Sequence, residues 1–180
     1  MTLKIRWAEP SDASVIAAIH VRAWQAAYRG LLSDGYLDGL SIPDREVKWR
    51  LALTAQRERQ FALLALGKKR RPVGFASGGP SQDKGTPPET GEIYAIYLEP
   101  DVIGTGAGRE LFSRATAVLQ VRGFTSATLW VLEANERARR FYDAAGWQPD
   151  GSVTEERIDC QNLPTVRYRI DFNSGSPPAD

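Results

Sequence analysis

The sequence predicts an α+β fold, a mixed and largely antiparallel sheet with helices on both faces. Three observations predict it. Short apolar runs with two-residue alternation outnumber the helical stretches. Most of these runs are neighbours in the chain, which favours hairpins over strand–helix–strand crossovers. The chain has 180 residues, 42% of them hydrophobic, enough for one core that buries roughly 70% of the extended surface.

The elements follow in order. Leu3 to Trp7 alternates as a strand, and Ser11 is placed to cap a helix from Asp12 to Tyr28, with Val15, Ile16, Ile19, Ala23 and Trp24 at helical spacing. Arg29 to Gly35 breaks that helix. Ser41 and Pro43 open another, with Val47, Leu51 and Ala52 expected on its inner side. Phe61 to Leu66 and Val73 to Ser77 read as strands around the charged turn Gly67 to Pro72, whose Lys68 to Arg71 form a solvated run or, alternatively, an anion contact. Gly78 to Gly91 reads as a long exposed hairpin loop. Strands are expected at Ile93 to Leu98, Thr128 to Leu132, Ser152 to Ile158 and Thr165 to Phe172, and helices at Arg109 to Val121 and Asn135 to Ala145. One domain therefore spans residues 1–172, and the Gly/Pro-rich residues 173–180 read as a flexible tail.

Composition excludes several classes. Near-cancelling charges, a net +1, argue against nucleic-acid binding by bulk electrostatics, and the wealth of apolar residues argues against disorder. One cysteine, Cys160, and one histidine, His20, cannot build a disulfide framework or a structural zinc site, so no metal is expected. No run of about 18 apolar residues predicts a membrane span. The polar turn at Glu9 to Asp12 leaves no signal-peptide core, which points to the cytoplasm.

The stretch richest in chemistry runs from Gly91 to Leu111. A strand leads into Gly104, Gly106 and Gly108, and an amphipathic helix follows. Glycines without a Cβ let a polyanion approach the backbone, and the helix N-terminus adds unpaired N–H groups and a positive dipole end. The dinucleotide fingerprint G-x-G-x-x-G fails, because Arg109 or Leu111 stands where its last glycine belongs. A Walker loop fails too, for want of Gly-Lys-Ser/Thr. A second segment follows, a strand ending near Asn135 and then a helix with Phe141-Tyr142 near its end and Gly146-Trp147 beyond it.

Together these segments resemble the GNAT superfamily of acetyl-CoA-dependent N-acetyltransferases. The family loop Q/R-x-x-G-x-G/A is similar to Ile103 to Gly108, with Ile103 departing from the preferred Gln or Arg. The pattern N-x-x-A-x-x-F-Y-x-x-x-G-F is similar to Asn135 to Trp147, with Trp for the last Phe. The resemblance is specific over Glu92 to Trp147 and looser over most of the chain.

The resemblance implies two splayed parallel strands, Ile93 to Leu98 and Thr128 to Leu132, with coenzyme A in the opening between them. The amides of Gly104, Thr105, Gly106, Ala107, Gly108 and Arg109 would hold its pyrophosphate, beside Ile103. The backbone of Ile96, Tyr97 and Leu98 would pair with its pantetheine arm, and an amide of Ile96 or Tyr97 would polarise the thioester carbonyl. Asn135 would bind the pantetheine amide from the other side. Tyr142 would protonate the leaving thiolate, unless it only packs on the sheet. Glu92 would be the base, acting directly or through water, or else a strand-edge carboxylate in solvent; Glu99 and Glu133 are weaker candidates. Alternation is expected to put Glu92, Tyr94, Ile96 and Leu98 on one face.

The acceptor site implied by the same resemblance lies beside the irregular segment after the first helix. Trp24, Tyr28, Tyr36 and Glu92 are its candidate residues, with core packing open for Trp24 and Tyr28 and a hydrogen-bonded structural role favoured for His20. Arg137, Arg139 and Arg140 form a solvated face from which one arginine could reach the ribose phosphate. Cys160 reads as an inert thiol. The activity implied is acetyl transfer from acetyl-CoA to the primary amine of a small molecule, within one ternary complex. Alternatives are a protein N-terminus or lysine as acceptor, or a non-catalytic acyl-CoA sensor. A homodimer paired through the terminal strands is also open.

Overall fold

The computed structural model describes residues 3–55 and 57–172; the tail expected at 173–180 lies outside them. Seven strands form one sheet in the order β1-β2-β3-β4-β5-β7-β6: β1 (Lys4–Trp7), β2 (Phe61–Leu66), β3 (Pro72–Pro80), β4 (Thr90–Leu98), β5 (Ser126–Leu132), β6 (Gln148–Ile158) and β7 (Gln161–Asp171). Every neighbouring pair is antiparallel except β4 with β5. The helices are α1 (Ala13–Ala27), α2 (Asp34–Asp38), α3 (Ile42–Thr54), α4 (Ala107–Val121) and α5 (Glu136–Ala144).

Two apolar clusters sandwich the sheet. On one face Ile16 and Ile19 of α1 and Leu53 of α3 pack on Ala62, Leu64 and Phe75. On the other, Leu111, Phe112, Ala115 and Leu119 of α4 meet Leu63, Ile93, Leu129, Trp147 and Tyr168. This is the mixed sheet with helices on both faces that the pattern of runs predicts.

Four local expectations need correction. The first helix is not capped by Ser11; a 3-10 turn at Pro10–Asp12 precedes it, and the Asp12 carboxylate accepts from the Glu9 amide and from both Nη atoms of Arg6. The segment after α1 contains α2, started by Ser33, whose hydroxyl accepts from the Tyr36 amide. In α3 the inner side is not Val47, Leu51 and Ala52; Val47 and Leu51 are 59% and 65% exposed. Trp49 and Leu53 face inward instead. The two stripes sit about 200° apart on the helix, and the aromatic one prevails because Trp49 has both Phe75 and His20 to contact.

The fourth concerns Gly78 to Gly91. Gly78 and Gly79 belong to β3, and a Cβ on Gly78 would meet the Glu92 carbonyl oxygen at 2.5 Å, so the close approach of β3 to β4 requires glycine there. The remaining loop is pinned to the sheet. Asp83 accepts from Trp130 Nε1 at 3.1 Å and from Arg167 Nη1 at 2.8 Å.

Candidate active site

β4 and β5 pair only at Thr90–Glu92 with Ser126–Thr128 and then diverge. From Ile93 onward the β5-facing edge of β4 has no strand partner, and its polar backbone groups line an opening in the sheet. A cavity of about 1040 Å³ occupies this opening. Its walls include Ile96, Tyr97 and Leu98 of β4, Leu129 to Leu132 of β5, Ile103, Gly104, Gly106, Gly108 and Arg109 at one end, and His20, Trp24, Tyr28 and Arg45 at the other.

The loop end is shaped by backbone. Gly104 has φ +83° and Gly106 φ +88°, conformations that L side chains rarely adopt, and nothing lies within 4 Å of where a Cβ would stand on either. Gly106 is the N-cap of α4, so the amides of its first turn face the cavity end with no partner in the preceding turn. Thr105 and Ala107 do not line the cavity: the Thr105 hydroxyl donates to Val102 O at 2.7 Å, and Ala107 is wholly buried beneath α4. An open cradle of positive-φ glycines at a helix N-terminus, beside an unpaired strand edge, fits an extended ligand with a polyanionic end.

A bulge alters the faces of β4. Gly78 opposes Ile93 while Ser77 opposes Ala95, so Tyr94 is extra in the register. Alternation is therefore interrupted, and Glu92 does not share a face with Ile96 and Leu98. Ile93, Ile96 and Leu98 all belong with the α4 core, whereas Ala95 and Tyr97 pack toward α1 and α3. Glu92 is 8% exposed, not a solvent-edge carboxylate, and it does not itself line the cavity. One of its oxygens accepts from the Gln82 amide at 2.7 Å and the Ser81 hydroxyl at 3.3 Å. Burial raises its pKa, opposed by the Gln82 hydrogen bond.

Tyr142 is buried at the junction of α5 and the sheet and reaches the cavity wall. Burial, reinforced by the neighbouring Tyr28, pushes its phenol well above the ordinary value. The phenol therefore keeps its proton at physiological pH. Tyr97 is likewise raised by burial, and Tyr28 by burial in opposition to interactions with Tyr97 and Asn135. Asn135 is the N-cap of α5; its Oδ1 accepts from the Ala138 amide at 3.2 Å, which leaves the side-chain NH₂ for the cavity and Tyr28.

Other candidates lie elsewhere. Tyr36 packs against the apolar cluster of Tyr28, Leu32, Leu37 and Ile158, outside the cavity wall. Glu99 is bound by two nitrogens of Arg22, a strut between α1 and the start of the glycine loop. Glu133 is exposed and away from the cavity. Cys160 is exposed at the β6–β7 turn. Arg139 is engaged with Tyr168 and the Glu133 carbonyl, and Arg140 with Glu136, while Arg137 lines the cavity. Lys68 to Arg70 form an exposed turn.

His20 is buried and hydrogen-bonded, as expected: Trp49 Nε1 donates to its Nδ1 at 3.1 Å, and its ring stacks on Tyr97 with centroids 4.7 Å apart. Burial, with the nearby charge of Arg45, lowers its pKa to about 3. Arg45, Asp83 and the β6 residues Thr154 to Glu156 also line the cavity and were not singled out in the sequence. Arg45 precedes Trp49 by one helical turn, the one local signal that could have placed it on the inner face.

This architecture and cradle define an acyltransferase-like cleft. A sequence model of the acetyltransferase (GNAT) family matches residues 16–147, and the chain belongs to that family. It is 35% identical to the uncharacterized N-acetyltransferase YuaI of Bacillus subtilis over 73% of this chain and 72% of that protein. It is 27% identical to the probable N-acetyltransferase Rv2775 of Mycobacterium tuberculosis over 97% of each. Among solved structures, the PaiA N-acetyltransferase of Thermoplasma acidophilum, in complex with coenzyme A, shares the fold with a TM-score of 0.68 at 16% identity, covering 96% of this chain and all of that one. Among the described residues no helix is long and apolar enough to cross a membrane, and no cluster of candidate metal ligands occurs.

Proposed function

We propose that this chain is an N-acetyltransferase that moves an acetyl group from acetyl-CoA to the primary amine of a small molecule. The observation that carries this reading is the unpaired edge of β4 running from the glycine cradle to an aromatic-walled end within one cavity. The PaiA structure holds coenzyme A on the same fold, which supports the choice of cofactor.

Each residue has a task in that reaction. The amides of Gly104, Gly106, Gly108 and Arg109 bind the pyrophosphate, with Ile103 as an apolar flank, and the β4 edge at Ile96 to Leu98 aligns the pantetheine arm as an added strand. The amide of Ile96 or Tyr97 donates to the carbonyl oxygen as negative charge develops there. The Asn135 NH₂ holds the arm from α5. The amine nitrogen forms a bond to the acetyl carbon as the carbon–sulfur bond breaks. The Tyr142 hydroxyl supplies a proton to the departing sulfur, and the proton shed by the amine leaves through water to Glu92, whose raised pKa suits a base. Proton exchange with solvent restores both groups.

A small acceptor is favoured by the closure of the pocket. The α1–α2 segment and the β6–β7 hairpin share the cluster of Tyr28, Leu32, Leu37, Leu132 and Ile158, and the Ser33 hydroxyl donates to Asp159 of the hairpin. Such a covered pocket disfavours an extended peptide. Thiol release from acetyl-CoA, followed with small amines, lysine peptides and N-terminal peptides, tests this. Release with small amines alone is expected; release only with peptides would reverse the acceptor assignment, and tight binding with no release on any acceptor would make the chain a sensor.

A further inference from the structure

The acceptor end of the cavity holds hydrogen-bond donors that no protein group satisfies. An indole N–H can only donate, so the Trp49 contact fixes His20 Nδ1 as an acceptor, and a neutral His20 carries its proton on Nε2. That Nε2–H is buried and has no hydrogen-bond partner among the described residues. His20 is itself 8% exposed and contributes to the cavity wall. Beside it Arg45, half-buried on α3, also lines the cavity and forms no ion pair among the described residues, although ten arginine–carboxylate pairings occur elsewhere among them. Its guanidinium sits 5.7 Å from the centroid of the Trp24 ring, a platform that holds it at the wall. The Trp24 N–H feels the Tyr97 hydroxyl but closes no hydrogen bond of normal geometry.

A buried donor without a partner and a wall arginine without a counter-ion are both completed by an anion with two acceptor oxygens. The acidic side chains on the cavity wall do not complete them. Glu155 and Glu156 belong to β6, three strands from β4 in the sheet order, and Asp83 is engaged by Trp130 and Arg167. The acceptor end therefore has a cationic, donor-rich wall on α1 and α3 and a carboxylate-bearing wall on β6, while the other wall arginines, Arg109 and Arg137, stand on α4 and α5. We infer that the acceptor is an amino acid or a closely related amino carboxylate, whose carboxylate is bound by Arg45 and the His20 Nε2–H while its amine points to the acetyl group. The inference rests on the reading of the cavity as an acetyl-CoA and amine site, and it narrows the acceptor class.

The test compares free amino acids, including β- and γ-amino acids to vary the spacing, each against its own carboxamide, with acetyl-CoA held saturating. At least one free acid is expected to exceed its carboxamide by about 30-fold or more in kcat/KM, mainly through acceptor KM, because a site built for paired oxygens rejects an analogue lacking them. Arg45→Gln should collapse that ratio to within about threefold, and Arg45→Lys, which keeps the charge without the fork, should restore part of it. Carboxamides used as well as acids, or a ratio that survives Arg45→Gln, would overturn the inference while leaving acetyl transfer intact. If neither class is acetylated, equilibrium binding of N-acetyl amino acids and their amides to the protein–CoA complex decides. Selective binding of the acids, lost in Arg45→Gln, would keep the carboxylate site and remove the transferase reading; equal binding or none would remove the carboxylate site.

Discussion

The two ends of the cavity are built on opposite plans. At the glycine end the wall is backbone set by the positive φ angles of Gly104 and Gly106, and the groups proposed to bind there are amides rather than side chains. At the other end the groups are side chains from α1, α3, β4 and β6, drawn from positions 20 to 156 of the chain. A ligand common to many enzymes can be held by a fixed backbone geometry, whereas the partner that varies is met by side chains that can be exchanged without rebuilding the loop. The difference predicts that substitutions at one end leave the affinity for the other ligand alone.

The largest departure from that independence is expected where the ends meet. Tyr142 touches the reacting sulfur in the proposed geometry, and Tyr142→Phe removes only the hydroxyl. Turnover should fall by roughly 100-fold or more, within the range for loss of a general acid, while the KM values for both substrates stay within a few-fold. Unchanged turnover would return Tyr142 to a packing role against Phe112 and Tyr168, with which its ring is already in contact.

A sharper separation of the ends comes from Gly106→Val. The residue sits at φ +88° with open space where a Cβ would go, so the cost is backbone strain and intrusion into the phosphate cradle. The left-handed conformation costs an L residue about 1–2 kcal/mol, so a free loop that relaxes out of it must recover that strain on binding, a loss of roughly 5- to 30-fold in coenzyme A affinity. Titration calorimetry should record that loss with acceptor KM unchanged. Equal losses for both ligands would show that the loop also shapes the acceptor end.

Glu92→Gln tests which end holds the base. Because burial raises its pKa, Glu92 loses its charge at a higher pH than an ordinary carboxylate, so kcat/KM should fall on the acid side as it protonates. The substitution should lower activity by about tenfold, the low end for general-base loss, and abolish that acid limb. A profile identical to the parent would move proton removal to water alone.

How much of this was legible beforehand divides along the same line. The strand, the three glycines and the Asn-to-Trp segment are local, and their residue types follow from positive φ, helix capping and close packing. They could therefore be read directly, as could the alternation of the sheet and its helices on both faces. What could not be read depended on tertiary choices. The bulge at Tyr94 turns Glu92 away from the face that simple alternation gives it. The inner stripe of α3 was ambiguous until Trp49 met His20, and with it Arg45 gained its place. Tyr36 was expected at the pocket because it follows α1, but α2 turns it into the apolar cluster under the hairpin. Nothing near Asp83 in sequence announces Trp130 or Arg167.

The last expected effect concerns the acceptor wall and appears in stability rather than in turnover. His20 binds no proton in the fold until about pH 3, whereas an unfolded histidine binds one near pH 6.5. Between those values the unfolded state holds more protons. The contribution of His20 is therefore fully present above about pH 6.5 and is lost as the pH falls toward 3, at up to about 1.4 kcal/mol per pH unit. Urea unfolding from pH 7 to pH 4.5 should show a stability that declines faster for the parent than for His20→Gln, whose amide can still accept from Trp49 but takes up no proton. Parallel slopes would mean that water reaches the imidazole in the fold. The wall would then be hydrated, and its Nε2–H would have a partner before any acceptor arrived.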